Sequence, residues 1–198
     1  MLLYRVFPYL STAKSNEPGH PLYTYPVQGK GRWDNPSLYL VRYLATSPEA
    51  AIGETFGHLA RWTSKMFVYP SLPGSEKCLG TYHLDETANP LLDLDDADEL
   101  SRRHIRPTHV VIRNRPRTQQ IAADIFNEQR WAGIQWWSYQ RPQWTVVALW
   151  ATGNLTVASV DELRGHPALD DAARVLAKIR RGDRRGLQRA AVGLHVAI

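Results

Sequence analysis

Apolar and polar positions alternate along this chain with two different periods, and the switches between them mark out the elements. Leu2–Phe7 (LLYRVF) has the alternation and β-prone residues of a strand and stops at Pro8. Residues 11–31 have no period and carry Ser, Asn, Pro and Gly throughout, which predicts a long loop with Tyr23 and Tyr25 as anchors. Leu38–Thr46 reads as a second strand. Ser47-Pro48-Glu49 then has the order of an N-cap, a first-turn proline and a first-turn acid, which predicts a helix from Pro48 to about Trp62. On that helix Ala51, Glu54, Thr55 and His58 share one face, and Ile52, Phe56 and Leu59 form an apolar one.

The same reading predicts a strand at Lys65–Pro70, a loop over residues 71–80 and a short strand at Thr81–Leu84. Apolar Leu91–Leu94 leads into an acid-rich helix start at Asp95–Glu99. His109–Arg113 is expected as a strand. Thr118–Trp131 is expected as a helix on a stripe of Ile121, Ala122, Ile125 and Phe126, with Gly133 as its C-cap. Ile134–Trp137 leads to Ser138 in a turn or strand edge, just ahead of the buried strand Thr145–Ala151. Beyond Asn154 the texture changes: one more strand to Val160, then a helix over 170–181. Arg174, Lys178, Arg180, Arg181, Arg184, Arg185 and Arg189 make a basic tract interrupted by Asp183. The tract reads first as a solvated face and second as a contact for nucleic acid or an acidic partner. The expected division is a domain over 1–153 and a basic helical extension over 154–198, packed on the domain or following it.

Composition narrows the function classes. At 198 residues, 43% hydrophobic and 22% charged, the chain has the make-up of one folded domain and not of a disordered segment. The net charge of +5 suits an anionic partner without choosing one. A single cysteine, Cys78, excludes an internal disulfide framework and a multi-thiolate zinc site. With no apolar run of membrane-spanning length and no secretory leader, a cytoplasmic location is expected. The seven histidines fall in no HExxH or close-pair spacing, so no metal is expected. No glycine elbow surrounds a serine, and neither a GxGxxG nor a P-loop pattern occurs. Gly29 and Gly31 flank Lys30 and permit close backbone approach to a ligand.

What remains is Arg32, Tyr39 or Tyr43, Glu54 and Ser138. These types suit cleavage of an N-glycosidic bond in a dinucleotide. A guanidinium binds pyrophosphate, a tyrosine ring faces nicotinamide, a carboxylate stabilises an oxocarbenium-like charge, and a hydroxyl orients the ribose or the carboxylate. Arg5, within the first strand, is either an exposed residue or an inward cation facing phosphate.

Three motifs in order resemble the RES domain family: GRW (Gly31–Trp33), YLATSPEAAIGE (Tyr43–Glu54) and GIQWWSYQRP (Gly133–Pro142). Tyr4-Arg5-Val6 is similar to the family's first strand and LLDL (Leu91–Leu94) to its middle segment, so the resemblance spans about residues 3–151. It implies an α+β fold similar to ADP-ribosyltransferase toxins, with a split, mostly antiparallel sheet around an NAD cleft. It implies a toxin of a toxin–antitoxin pair that degrades NAD+ by hydrolysis or phosphorolysis; some relatives instead ADP-ribosylate a protein. Arg32, Glu54 and Ser138 match the family's Arg, Glu and Ser, and Tyr43 its tyrosine, with Tyr39 out of register. Arg5 and Trp33 complete the expected NAD-binding set. NAD+ is then substrate, no other cofactor is needed, and an Xre-type antitoxin is the expected partner. Nucleic acid is not expected for the chain alone, and homo-oligomers are left open. The sequence departs from the pattern at Lys30, where a second glycine is common, and after Ser138, where Arg141 stands one place later than the usual cation.

Overall fold

In the computed structural model, which describes residues 1–150 and 155–180, the chain builds nine strands and five helices. They run β1 (Leu2–Tyr9), β2 (Arg42–Ala45), α1 (Pro48–Phe56), β3 (Arg61–Trp62), β4 (Glu76–Leu84), β5 (Leu91–Asp93), α2 (Ala97–Arg102), α3 (Pro107–Val111), α4 (Arg115–Asn127), β6 (Gly133–Trp137), β7 (Thr145–Leu149), β8 (Leu155–Glu162), α5 (Pro167–Val175) and β9 (Ile179–Arg180). Seven strands form one sheet in the order β5-β6-β7-β2-β1-β4-β8. Only β5 and β6 pair in parallel; every other neighbour is antiparallel. β3 and β9 make a separate parallel pair. The fold is therefore the α+β, mostly antiparallel architecture expected.

The sheet is split at its middle. β1 pairs with β4 along its whole length, from Leu2↔His83 to Tyr9↔Glu76. With β2 it shares one register pair, Tyr4↔Ala45. Past that pair no ladder joins the two strands, so the sheet is two halves hinged at Tyr4–Ala45 with a gap toward Val6 and Tyr43. Strand alternation sorts the side chains onto two faces. Ala45, Trp136, Val146 and Ala148 belong to the larger core with α1, α4 and α5, which contribute Ile52, Phe56, Ile125 and Leu169. Leu3, Leu44, Tyr82, Val147 and Leu149 pack in a second core on the opposite face.

Several expectations shift, each for a local reason. The strand expected from Leu38 starts at Arg42, because Leu38 and Tyr39 turn back to donate to the Asn35 carbonyl. α1 ends at Phe56 instead of Trp62, since the chain reverses and the Trp62 indole N–H donates to the Phe56 carbonyl at 3.1 Å. Lys65–Pro70 holds a 3-10 turn, Ser64–Phe67, in place of a strand. β4 begins at Glu76, so Gly80 lies inside a strand paired on both sides. His109–Arg113, β-branched and expected as a strand, falls across α3, which starts with Pro107 at its first position. Gly133 does not cap α4, which closes at Glu128; it opens β6, where a Cβ would collide with the Ala148 carbonyl of β7. The helix expected over 170–181 is α5, started by His166, whose Nδ1 accepts from Ala168 N at 3.2 Å.

The sheet does not stop at residue 153. β8 is its outer strand, paired with β4, and α5 packs on α1. The described part of the expected extension is thus built into the domain, not appended to it. Arg181, Arg184, Arg185 and Arg189 of the basic tract lie outside the described residues. Among the described residues, no helix is long and apolar enough to cross a membrane.

Candidate active site

A cavity of about 380 Å³ opens at the split. One wall is β1 (Tyr4, Arg5, Val6) and the other is β2 with its neighbours (Tyr43, Leu44, Ala45, Trp136, Val146). α1 closes it with Ala51, Glu54 and Thr55, and Gly31, Arg32 and Arg115 close the remaining side. The volume is in the range of small-molecule sites. Glu54 is the one acid in this lining, against three arginines.

Glu54 is held from behind. Ser47 caps α1 by accepting from Ala50 N at 3.1 Å, with Pro48 and Glu49 in the first turn, which fixes the helix start as the sequence indicated. Residues 51, 54 and 55 then face the cavity while Ile52 and Phe56 are buried behind them. Ser138 sits in the β6–β7 connection and is 0% exposed. Its Oγ accepts from Gln140 N at 2.9 Å and Arg141 N at 3.3 Å and donates to Glu54 Oε1. With both amides on its lone pairs, the hydroxyl has one direction left for its proton, and that is the carboxylate. Ser138 is therefore a positioning residue: it orients Glu54 and has no surface of its own in the cavity. Arg141 takes part through its backbone N–H. The loop reaches α1 because Gly53 and Gly57 leave room, since a Cβ at either would collide with Trp144 or with Gln140.

Arg32 is anchored at one nitrogen. Its Nη1 donates to the carbonyls of Val110, at 3.3 Å, and Ile112, at and just past the end of α3. Burial lowers the guanidinium below its ordinary pKa, and the neighbouring Arg115 lowers it further; Glu54 and Tyr43 act in the opposite direction. The residues expected as a strand, Val110 to Ile112, are thus what hold the arginine.

Tyr43 lies on the same face of β2 as Ala45, and the residue is 36% exposed and lines the cavity. The hydroxyl end is enclosed. It donates to Asp34 Oδ1 at 2.8 Å and accepts from Trp33 N at 2.9 Å. Burial and then the Asp34 carboxylate push the phenol well above its ordinary pKa. Asp34 Oδ2 also accepts from Gly29 N at 2.8 Å and Gly31 N at 2.6 Å. The glycines around Lys30 were expected to approach a ligand. Their amides bind Asp34, and a Cβ on Gly31 would collide with that carboxylate and the Tyr43 hydroxyl. Tyr39 is core, donating to the Trp33 carbonyl at 2.8 Å.

Two expected NAD-binding residues are not free to bind. Trp33 is 0% exposed and packs edge-on against Trp136, with ring centroids 5.3 Å apart, so it is core under the site. Arg5 borders the cavity, but its side chain follows Leu3 and Phe7 onto the other face. There its Nη1 donates to the Tyr23 carbonyl at 3.2 Å, and the guanidinium lies over the Phe7 ring. Conversely, Asp34, Arg115, Gly53 and Trp144 went unnoticed in the sequence. For Arg115 a signal existed: the first turn of α4 holds Arg115 and Arg117 and no acid, contrary to the helix dipole's preference. Among the described residues, no group of three His, Cys, Asp or Glu is arranged to hold a metal ion.

The RES domain model matches residues 2–170 of this chain. A chain of the M. tuberculosis MbcT–MbcA toxin–antitoxin complex is similar in structure, with a TM-score of 0.56 at 16% identity, over 88% of this chain and 88% of that one; the likeness is one of fold. No curated protein matches the sequence. The family match covers most of the chain, and the chain belongs to the RES domain family.

Proposed function

We propose that this member of the RES domain family binds NAD+ in the split-sheet cavity and breaks the bond between nicotinamide and ribose. The observation that carries the reading is one carboxylate, Glu54, oriented by Ser138 into the same cavity as the Arg32 guanidinium and Tyr43. The Tyr43 ring faces the nicotinamide and Arg32 faces the phosphates. The C–N bond breaks with its electron pair going to the nicotinamide nitrogen, so the leaving group departs neutral. The positive charge left on the ribosyl carbon and ring oxygen is stabilised by the Glu54 carboxylate. Water or phosphate then supplies the oxygen that bonds to that carbon, losing a proton. Ser138 keeps Glu54 in the one geometry that meets this charge. No metal or further cofactor enters the step.

The role that follows is that of a toxin depleting NAD+, restrained by an antitoxin of the Xre type. It is supported by the family resemblance and by the likeness of fold to a chain from a toxin–antitoxin complex. For a transferase acting on protein, a second acid beside Glu54 would count in favour; Glu49 is absent from the lining.

Purified protein incubated with NAD+, with and without phosphate, should release nicotinamide, and Glu54→Ala should lower the rate by roughly 10²–10³-fold. No release by wild type, or equal release by the variant, overturns the reading. Dependence on phosphate separates phosphorolysis from hydrolysis.

A further inference from the structure

Arg32 and Arg115 face the same cavity but are bound differently. Arg32 spends Nη1 on two backbone carbonyls. Arg115 Nη1 is buried and has no hydrogen-bond partner. Two guanidiniums close enough for one to lower the other's pKa repel each other, and burial strengthens the repulsion. The one lining acid, Glu54, is committed through Oε1 to Ser138. Arg115 also stands at the first position of α4, whose first turn carries a second cation, Arg117, and no acid. The local preferences at this corner are for more negative charge than Glu54, the one lining acid, supplies.

We propose that Arg115 is the principal anion-binding residue of the cavity, and that with Arg32 it clamps a diphosphate. This rests on the reading of the cavity as a dinucleotide site and sharpens it. Arg32 becomes a shared element, part ligand contact and part tie to the end of α3. Arg115 has a donor with no other use. Diphosphate matches the pair because its oxygens carry charge for two guanidiniums at once, and each planar fork can give two parallel hydrogen bonds. A neutral or singly charged ligand would leave one cation unpaired.

The test is binding of ADP-ribose, which keeps the diphosphate and needs no turnover, measured by calorimetry on wild type, Arg115→Ala and Arg115→Lys. Arg115→Ala is expected to weaken binding roughly ten- to a hundredfold, the effect of losing a charge-assisted hydrogen bond to a buried group. Arg115→Lys should recover part of the loss, since it restores charge without the fork. The dependence of affinity on salt should also flatten in Arg115→Ala. The melting temperature of unliganded Arg115→Ala should stay level or rise, because a repulsion is removed; a purely structural arginine would lower it. Equal ADP-ribose binding by wild type and Arg115→Ala, or no binding by wild type, overturns the proposal. Nicotinamide release is scored separately. Binding that depends on Arg115 without any release would leave the clamp standing and remove the glycosidic cleavage.

Discussion

Two pairs of arginines stand on opposite faces of the same split, and the protein uses them in opposite ways. On the cavity face Arg32 and Arg115 line open space. A buried unpaired donor does not set them apart, since Arg42 Nε and Nη1 on the other face lack a partner as Arg115 Nη1 does. On the other face Arg5 and Arg42 point under the loop of residues 10–28. Arg5 Nη1 donates to the Tyr23 carbonyl, and Arg42 Nη2 donates to the Leu22 carbonyl and to Thr24 Oγ1, the latter at 2.7 Å. Arg42 is 2% exposed, with its pKa lowered to about 10 by burial and by Arg5. Neither set has a carboxylate paired to it at ion-pair distance among the described residues. Residue type therefore does not separate a ligand contact from a structural staple. Strand parity does for β1 and β2: Tyr43 faces the cavity and Arg42 cannot, and Arg5 parts from Tyr4 in the same way.

The largest effect that could break this contrast lies on the staple side. Arg42→Ala removes a fully buried side chain and two hydrogen bonds and should cost about 2–4 kcal/mol of stability. Arg42→Met should cost less than half as much, because it fills the space and removes an uncompensated charge. Urea denaturation measures both. Where Arg42→Met is folded, nicotinamide release should stay within about twofold of wild type, a gap of about 0.4 kcal/mol. A loss comparable to that of Glu54→Ala would mean that the opposite face also serves the chemistry.

Ser138→Ala sharpens the other side of the contrast, where a polar side chain acts through a second one. Removing the hydroxyl leaves Glu54 without its hydrogen bond and should lower kcat about ten- to a hundredfold with little change in KM. The start of α1, the helix that carries Glu54, is fixed by Ser47, so the helix should persist, but the Gln140 and Arg141 amides lose their acceptor and stability should fall by about 1–3 kcal/mol. A rise in KM at unchanged kcat would instead put Ser138 in contact with the substrate.

How far the sequence disclosed this site depends on what positions each residue. Glu54 was legible because Ser47, Pro48 and helical spacing are local and sufficient to orient it. Ser138 was legible as a turn residue that orients the ribose or the carboxylate, but the choice between the two was not, since the Gln140 and Arg141 amides that aim its proton come from the folded loop. Trp33 and Arg5 were misassigned for one reason: each neighbours a cavity residue in sequence, and only the register Tyr4↔Ala45 and the packing on Trp136 decide which way they turn. The α+β class followed from the resemblance to the RES domain family. The incorporation of β8 into the sheet did not, because it depends on a long-range ladder from Cys78↔Glu162 to Leu84↔Leu155.

The smallest effect concerns the tyrosine between the two faces. In the folded protein the Tyr43 phenol stays protonated above its ordinary range, owing to burial and to Asp34, so the fold favours the neutral form. The sign follows from linkage. A raised folded pKa contributes stability that is complete below the unfolded value of about 10 and is lost as the pH rises above it, because only the unfolded chain then releases the proton. Tyr39, raised to about 12, and Tyr82 act in the same direction, and Arg42 in the opposite one, so the total curve does not isolate any of them. The difference between wild type and Tyr43→Phe does. Loss of the hydrogen bonds to Asp34 and Trp33 should destabilise the variant by about 1 kcal/mol at pH 8. That gap should narrow between pH 10 and 11, because the variant has no phenol to ionise when unfolded. With Tyr43 partly exposed, the narrowing should stay below the roughly 1.4 kcal/mol per pH unit of a wholly enclosed group. A gap that widens with pH would mean that Tyr43 ionises more readily in the fold, and that Asp34 is not the partner that keeps its proton in place.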